Sequence, residues 1–409
     1  MTSPLPSLPL KDTPGLDLLE GVVVLDLTTS VAGPYAGQLL GDLGASVIKI
    51  ERPGRGDDCR AWGPPFLDGE SLWYLSVNRN KQGTTLDTTT PKGHALLLRL
   101  AEKADIVLVN AVARAQRKLG IDHATLSIAN PALIHVSITG FGLDGERADL
   151  PCYDLIAEGY SGVMDMTGEP DGPPQKIGTP AADLLAGEDA ALAAVAALVR
   201  RQRSGSGAAI DISLVESMTR FMAPRLLPFL GSGEPMRRSG GRDSVIAIYQ
   251  AFDTADEPLT LGLGNDAIWR RFWTALGDPA AAEAPAHASN AMRRRDRAAI
   301  VADIAERLKA RGRDEWLDIF TRARVPAGPI NRLDEIGGDL ALQRRGFLYA
   351  FERNEGRVPQ VGLGITIDGE TESCRRPPPK LGADNHAVFK DWLGVSDEEL
   401  ATLAAEAVI

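Results

Sequence analysis

The chain has 409 residues, with 44 Lys and Arg against 55 Asp and Glu, a formal net charge of −11, and 44% apolar and 24% charged residues. That length suits two or three domains of an ordinary globular protein, and the acidic balance without a long basic stretch excludes nucleic acid as a partner while leaving room for one cationic pocket. Cys59, Cys152 and Cys374 lack CxxC spacing, and the five histidines form no HxH or HExxH pattern, which excludes a disulfide framework or a recognisable metal site and fits a reducing cytoplasm.

Residues 1–19 are Pro-rich and lack the basic and apolar regions of a signal peptide, so a flexible arm is expected there. Gly21 to Leu27 (GVVVLDL) is a short apolar run typical of a buried parallel strand. Thr28 to Pro34 reads as a turn, Tyr35 to Leu43 as a helix ending at Gly44, and Ser46 to Ile50 as a second strand. This is a βαβ unit, but its turn lacks GxGxxG, so a nicotinamide cofactor is not supported. Arg52, Arg55 and Arg60 follow on a Gly/Pro loop at the carboxyl end of that strand, where open α/β sheets bind ligands and where arginine suits phosphate.

Asn78, Arg79, Asn80 and Lys81 precede a Thr-rich strand. A helix follows from Pro91 to about Lys103, then strands at Asp105 to Val109, ending in Asn110, and at Leu133 to Ile138. The alternation predicts an α/β fold with an open, doubly wound parallel sheet. No run of about 18 apolar residues is free of charges and helix breakers, so no membrane span is expected.

From Lys176 to Gly207 the chain approaches a helix through Pro180, runs through Ala, Leu and Val from Leu184 to Arg201, and stops at Gly205 and Gly207. Asp183 stands at the start of that helix. It reads either as an N-cap or as a reactive carboxylate that the positive end of the helix keeps ionised at neutral pH. Leu214 to Leu230 reads as a further helix. Beyond it, residues 232–340 are expected as a smaller α+β domain in which Trp269, Phe272 and Trp273 are core, and residues 341–409 return to the large domain begun at residues 20–231. The bound segments show no internal repeat.

Several ordered segments, GVVVLDLTTSVAGPYAGQLLGDLGASVIKIERPGRGD, NRNKQGTTLD, SITGFGLDG, LPCYDLIAEGYSG, PAADLLAG, SGSGAAIDISLVE and PPPKLGADN, together resemble the class III CoA-transferases of the formyl-CoA and carnitine type over roughly residues 20–409. The resemblance implies an enzyme that moves coenzyme A from an acyl-CoA to a small carboxylic acid, succinyl-CoA being one candidate donor, without a metal. It implies an interlocked homodimer and places the nucleophile at Asp183, which would pass through an aspartyl-CoA thioester. Arg52, Asn110, Lys118, Asn78 and Lys81 then become the candidates for holding CoA, and Val31, Tyr153 and Arg242 the candidates on the substrate side. Arg237, Arg238 and Arg242 near the connector read either as a site for a second carboxylate, as of a dicarboxylate such as succinate, or as surface charge. The chain departs from the family pattern at VNAVARAQRKLG after the third strand and at GRDS in the connector. The alternatives are a 2-methylacyl-CoA racemase, disfavoured because Tyr153 stands where those enzymes place a histidine, and a non-catalytic acyl-CoA-binding protein of the same fold.

Overall fold

A computed structural model describes residues 7–11, 13–353 and 356–409. The described residues form two compact units: a larger one within residues 7–163, 176–232 and 339–409, and a smaller one of residues 164–175 and 233–338.

The larger unit is built on a six-stranded parallel sheet. Its strands are β1 (Val23–Asp26), β2 (Ser46–Glu51), β3 (Lys81–Thr85), β4 (Ile106–Val109), β5 (Ile134–Thr139) and β6 (Ala208–Ser213). They lie in the spatial order β3-β2-β1-β4-β5-β6, each pair parallel. Strand order therefore reverses between β1 and β4. In such a sheet the crevice at the carboxyl ends of those two strands is the ligand position. The fold expectation of an α/β protein with a parallel central sheet is met; every residue of β4 and β5 is buried, so β4 reads as a continuous apolar run, while β5 also buries His135, Ser137 and Thr139.

The helices that matter for the site are α1 (Ala32–Asp42), α2 (Pro91–Lys103), α3 (Asp154–Ser161), α4 (Ala181–Ser204), α5 (Leu214–Phe221) and α6 (Ala223–Ser232). The single helix expected over Leu214 to Leu230 is two. Pro224 has no N–H to continue the ladder and disfavours helical geometry at the residue before it. Helix α4 packs on α1 at Gly187, where a Cβ would stand 2.7 Å from the Ala32 carbonyl oxygen; only glycine allows that approach. The carboxy-terminal segment covers α2: Val388, Phe389 and Leu403 share a core with Leu96, Leu97 and Leu100. It also covers edge strand β3, since Gly83 N donates to Asp384 Oδ2 (2.7 Å) and Thr85 N to Asn385 Oδ1 (2.8 Å), leaving no open ladder there.

Part of the amino-terminal stretch, residues 1–6 and 12, lies outside the described residues. The remainder, expected as a flexible arm, is tied down. Leu10 bridges to Ala350, Lys11 Nζ pairs with Glu372 Oε1 at 3.0 Å, and Leu16 is 5% exposed. Among the described residues no helix is long and apolar enough to cross a membrane.

The smaller unit holds a three-stranded antiparallel sheet of β7 (Tyr249–Phe252), β8 (Leu259–Gly262) and β9 (Ala327–Pro329) in the order β9-β8-β7. Trp269, Phe272 and Trp273 are buried in its core beside Trp316 and Phe320, as their spacing along one helix face implied.

Candidate active site

Helix α4 runs back across the sheet before entering β6, so its amino end faces the carboxyl edge of the parallel strands. Asp183 is the third residue of that helix, which begins at Ala181 rather than Leu184; the N-cap is Pro180 and makes no side-chain cap. The cap comes from another element. Asp154, first residue of α3, accepts the Ala182 N–H (2.8 Å) and the Asp183 N–H (3.3 Å) on Oδ1. The N-cap reading of Asp183 is thus corrected, and the helix starts early because a tertiary partner satisfies its first donors.

The expectation that the helix dipole keeps Asp183 ionised meets two opposing effects. Burial raises its carboxyl, and the neighbouring Asp154 carboxylate raises it further, to about 7. No hydrogen bond to its oxygens and no cation offsets these effects among the described residues, so desolvation and like charge outweigh the helix dipole, whose effect is at most a few kcal/mol and usually below one. Asp183 also pushes the Cys152 thiol up, after burial, to about 11. Beside this helix start lies a cavity of about 360 Å³ lined by Val31, Tyr35, Trp73, Pro180 and Leu184. Val31 is buried at the entry to α1. Tyr153 precedes Asp154 and is 70% exposed.

The five candidates for CoA separate into two kinds. Arg52 and Lys118 are exposed and engage no side-chain partner among the described residues. Arg52 follows β2, and Lys118 lies in the last turn of the helix Ala113–Leu119. The other three are occupied by the fold. Asn110 accepts the Thr29 N–H (3.1 Å) and donates to the Thr29 carbonyl (2.8 Å), clamping the end of β4 to the loop after β1. Lys81 is 1% exposed; its Nζ donates to Asp26 Oδ2 (2.8 Å), the Pro34 carbonyl (2.7 Å) and Asn78 Oδ1 (2.9 Å). Asn78 is fully buried and donates to the Tyr74 carbonyl at 3.0 Å. An ammonium with three partners and no exposure has no donor left for a phosphate, so Lys81 and Asn78 are corrected from ligand contacts to core polar groups.

The same correction applies to the rest of the NRNK run and to Arg60. Arg79 binds Asp42 through two hydrogen bonds of 3.0 and 2.6 Å, and Asn80 donates to the same carboxylate at 2.8 Å. Arg60 makes two 2.7 Å hydrogen bonds to Glu51 and stacks on Tyr74, and Arg55 pairs at the surface with Asp58. The Arg79–Asp42 and Arg60–Glu51 pairs are charges taken out of water together, which is the condition for burying them. Around Asp26 burial opposes ionisation, but the ammonium groups of Lys81 and Lys49 outweigh it and bring its carboxyl down to about 2.

Arg242 belongs to the smaller unit. It lines a second cavity there, with its Nε donating to the Ser239 carbonyl at 3.2 Å.

Sequence reasoning missed Asp154 and Glu158. Glu158 is buried, accepts the Ile177 N–H on Oε2 (2.9 Å), and has its carboxyl raised, by burial first and by Asp154 in addition, against that N–H. Together the two side chains hold the approach and first turn of α4. Their signal was present in the i, i+4 acidic pair of α3, but nothing local indicates that its partners lie more than 15 residues away. Cys152 packs where a Cβ on Gly140 would come within 2.1 Å, which brings the start of α3 against the end of β5.

The arrangement is that of an α/β enzyme with an uncompensated carboxylate at the ligand edge of its sheet. The chain belongs to CoA-transferase family III, whose model matches residues 19–385. Among similar proteins, the succinate–glutarate CoA-transferase of Agrobacterium fabrum is 41% identical over 91% of this chain and 95% of its own length. The human succinyl-CoA:glutarate CoA-transferase is 33% identical over 98% of this chain and 92% of its own. The crystal structure of a CAIB/BAIF family protein from Brucella suis superposes with a TM-score of 0.81 at 36% identity, covering 93% of this chain and all (100%) of that one.

Proposed function

We propose that this protein moves coenzyme A from succinyl-CoA to a short aliphatic dicarboxylic acid such as glutarate, with Asp183 as the nucleophile. The observation that carries the reading is the Asp183 carboxylate, half-buried and without a counter-ion among the described residues, on the first turn of α4, where Pro180 and Leu184 line a cavity. The names of the Agrobacterium and human relatives supply the acids.

An Asp183 oxygen attacks the thioester carbon of the donor. The carbon–sulfur bond breaks and CoA leaves as the thiolate, giving a mixed anhydride. The thiolate then attacks the Asp183 carbonyl carbon, the donor acid departs as its carboxylate, and an aspartyl-CoA thioester remains. The acceptor carboxylate repeats the two steps in reverse and takes CoA away. No proton is gained or lost, so Asp183 must enter ionised. Dividing one acyl exchange among covalent intermediates is the rate advantage, and burial of the carboxylate limits its hydration and the access of water to the anhydride.

The test is the intact mass of the protein after mixing with succinyl-CoA. We expect a CoA-sized adduct that glutarate discharges. Binding of CoA without any adduct from succinyl-CoA or a panel of other acyl-CoAs would reject the thioester mechanism. The racemase alternative is not favoured: Tyr153 is exposed at the position that chemistry requires, and a phenol is a weak base at neutral pH.

Two further expectations belong to this reading. First, kcat/KM for succinyl-CoA rises with pH through about 7, the value of Asp183, because only the ionised form attacks. Asp154→Asn removes the like charge, so the acid limb moves to lower pH, while the amide oxygen still caps α4 and stability changes by less than about 1 kcal/mol. An acid limb that stays in place in this variant would mean that Asp154 does not act on the nucleophile. Second, α6 has no buried residue although it carries Leu227 (71% exposed), Leu230 (68%) and Phe229 (40%). We assign that apolar surface to a second copy of the chain, in line with the interlocked homodimer of the resemblance. Light scattering should give twice the chain mass, and a monomer at micromolar concentration would remove the assignment.

A further inference from the structure

The smaller unit contains a cavity of about 780 Å³ over one face of its antiparallel sheet. Tyr249, Ala251, Thr260 and Ile330 line it, and a Cβ on Gly328, at the middle of β9, would stand 3.5 Å from Thr260 Oγ1. The sheet order is β9-β8-β7, and Arg242 pairs through an isolated bridge with Gln250 of β7. The cation therefore stands on the β7 side of an otherwise largely apolar floor.

The polar groups on that side carry an excess of donors. Arg242 uses Nε on the Ser239 carbonyl, and neither Nη has a partner among the described residues. Arg297, behind it, donates to the Asp243 carbonyl (2.7 Å) and to Gln250 Oε1 (3.4 Å). Its Nε is buried with no hydrogen-bond partner. Gln250 lies opposite Leu261 in the sheet, so its side chain joins Arg297 on the core face and the cavity side is left to Arg242. The acid nearby, Asp243, has Oδ1 on the Val245 and Ile246 N–H groups, both at 2.7 Å. Burial lowers the Arg297 pKa and Arg242 lowers it further, against the Asp243 carboxylate, which raises it.

We propose that this cavity is a carboxylate site, in which the Arg242 guanidinium holds the free carboxylate of a short aliphatic dicarboxylic chain whose methylenes lie on the exposed face of β7–β9. The inference rests on the dicarboxylate reading above and extends it to a named recognition site. A guanidinium with two free Nη groups matches a carboxylate in a fork, and the apolar floor matches an aliphatic chain. A phosphate of CoA offers the same charge chemistry but nothing for the floor, so the acid is the occupant we assign.

The test is calorimetric titration of glutarate, and separately of CoA, into the wild type, Arg242→Lys and Arg242→Ala, with valerate as the monocarboxylate control. Glutarate binding should weaken tenfold or more in Arg242→Ala and less in Arg242→Lys, with valerate and CoA unchanged and the melting curve of each variant intact. Glutarate bound equally well by Arg242→Ala, or not bound by the wild type, overturns the site. CoA binding weakened in Arg242→Ala with glutarate unchanged reassigns the cavity to a phosphate and also overturns it. A change of oligomeric state in Arg242→Ala without a change in glutarate affinity makes the cavity a contact between copies and overturns it. Failure of the wild type to transfer CoA from succinyl-CoA to glutarate would sink the functional reading by itself, whichever way the titrations fall.

Discussion

Asp183→Asn should abolish CoA transfer, lowering kcat/KM by about 10⁴-fold or more, while CoA and succinyl-CoA still bind. Every covalent step of the proposed mechanism passes through this one carboxylate, and losses of this size follow removal of a covalent nucleophile. The isosteric amide keeps the volume and the helix. The same substitution should stabilise the protein, in a pH-dependent way. The native carboxyl is raised, by burial and by Asp154, from 3.8 to about 7. Between those values the folded state holds a proton that the unfolded state has released, so stability falls as pH rises through this window and the whole penalty is present above about pH 7. Asparagine removes it. Allowing for solvent screening at a half-buried group, we expect a gain of about 1–3 kcal/mol at pH 8 and almost none at pH 4. Melting temperatures at the two pH values, with the activity assay, check both halves. Full activity in the variant would reject the nucleophile, and a gain equal at both pH values would reject the raised pKa.

Lys81→Met is expected to cost about 3–5 kcal/mol and to yield mostly insoluble protein, because it strands the Asp26 carboxylate in a fully buried position. Asp26 is 0% exposed and shares its charge with Lys81 at 2.8 Å, while its other ammonium neighbour, Lys49, pairs with Asp57 at 3.0 Å. The pairing holds the Asp26 carboxyl, against burial, at about 2. Its stabilising contribution is therefore complete above the ordinary carboxylate range and is lost only as pH falls towards 2. In Lys81→Met that loss should begin at higher pH. Denaturant midpoints across pH 3 to 7 read both effects, and adding Asp26→Leu should recover part of the loss by removing the orphaned charge. The contrast is with Arg52→Ala and Lys118→Ala, which should leave stability within about 0.5 kcal/mol and weaken CoA binding. A soluble, stable Lys81→Met protein that had lost CoA affinity would return Lys81 to the ligand.

Strand positions, the parallel α/β class and the helix that carries Asp183 were legible because each depends on short-range pattern: apolar runs of four to seven residues, Pro at a helix start and Gly at its end. Family motifs located Asp183, and helix and sheet geometry then put it at the edge where ligands bind. The roles of the polar residues were not legible in this way. NRNK and Asn110 look like phosphate ligands in a one-dimensional reading, yet they bind Asp26, Asp42 and Thr29, whose positions in the chain lie 37 to 81 residues away. The protonation of Asp183 depended on Asp154, 29 residues earlier. The sequence by itself determined which segments become strands and helices, since backbone and side-chain preferences act over a few residues. Only the tertiary structure decided which charges are paired and which stand alone, because desolvation and Coulomb interaction depend on neighbours that the fold brings together.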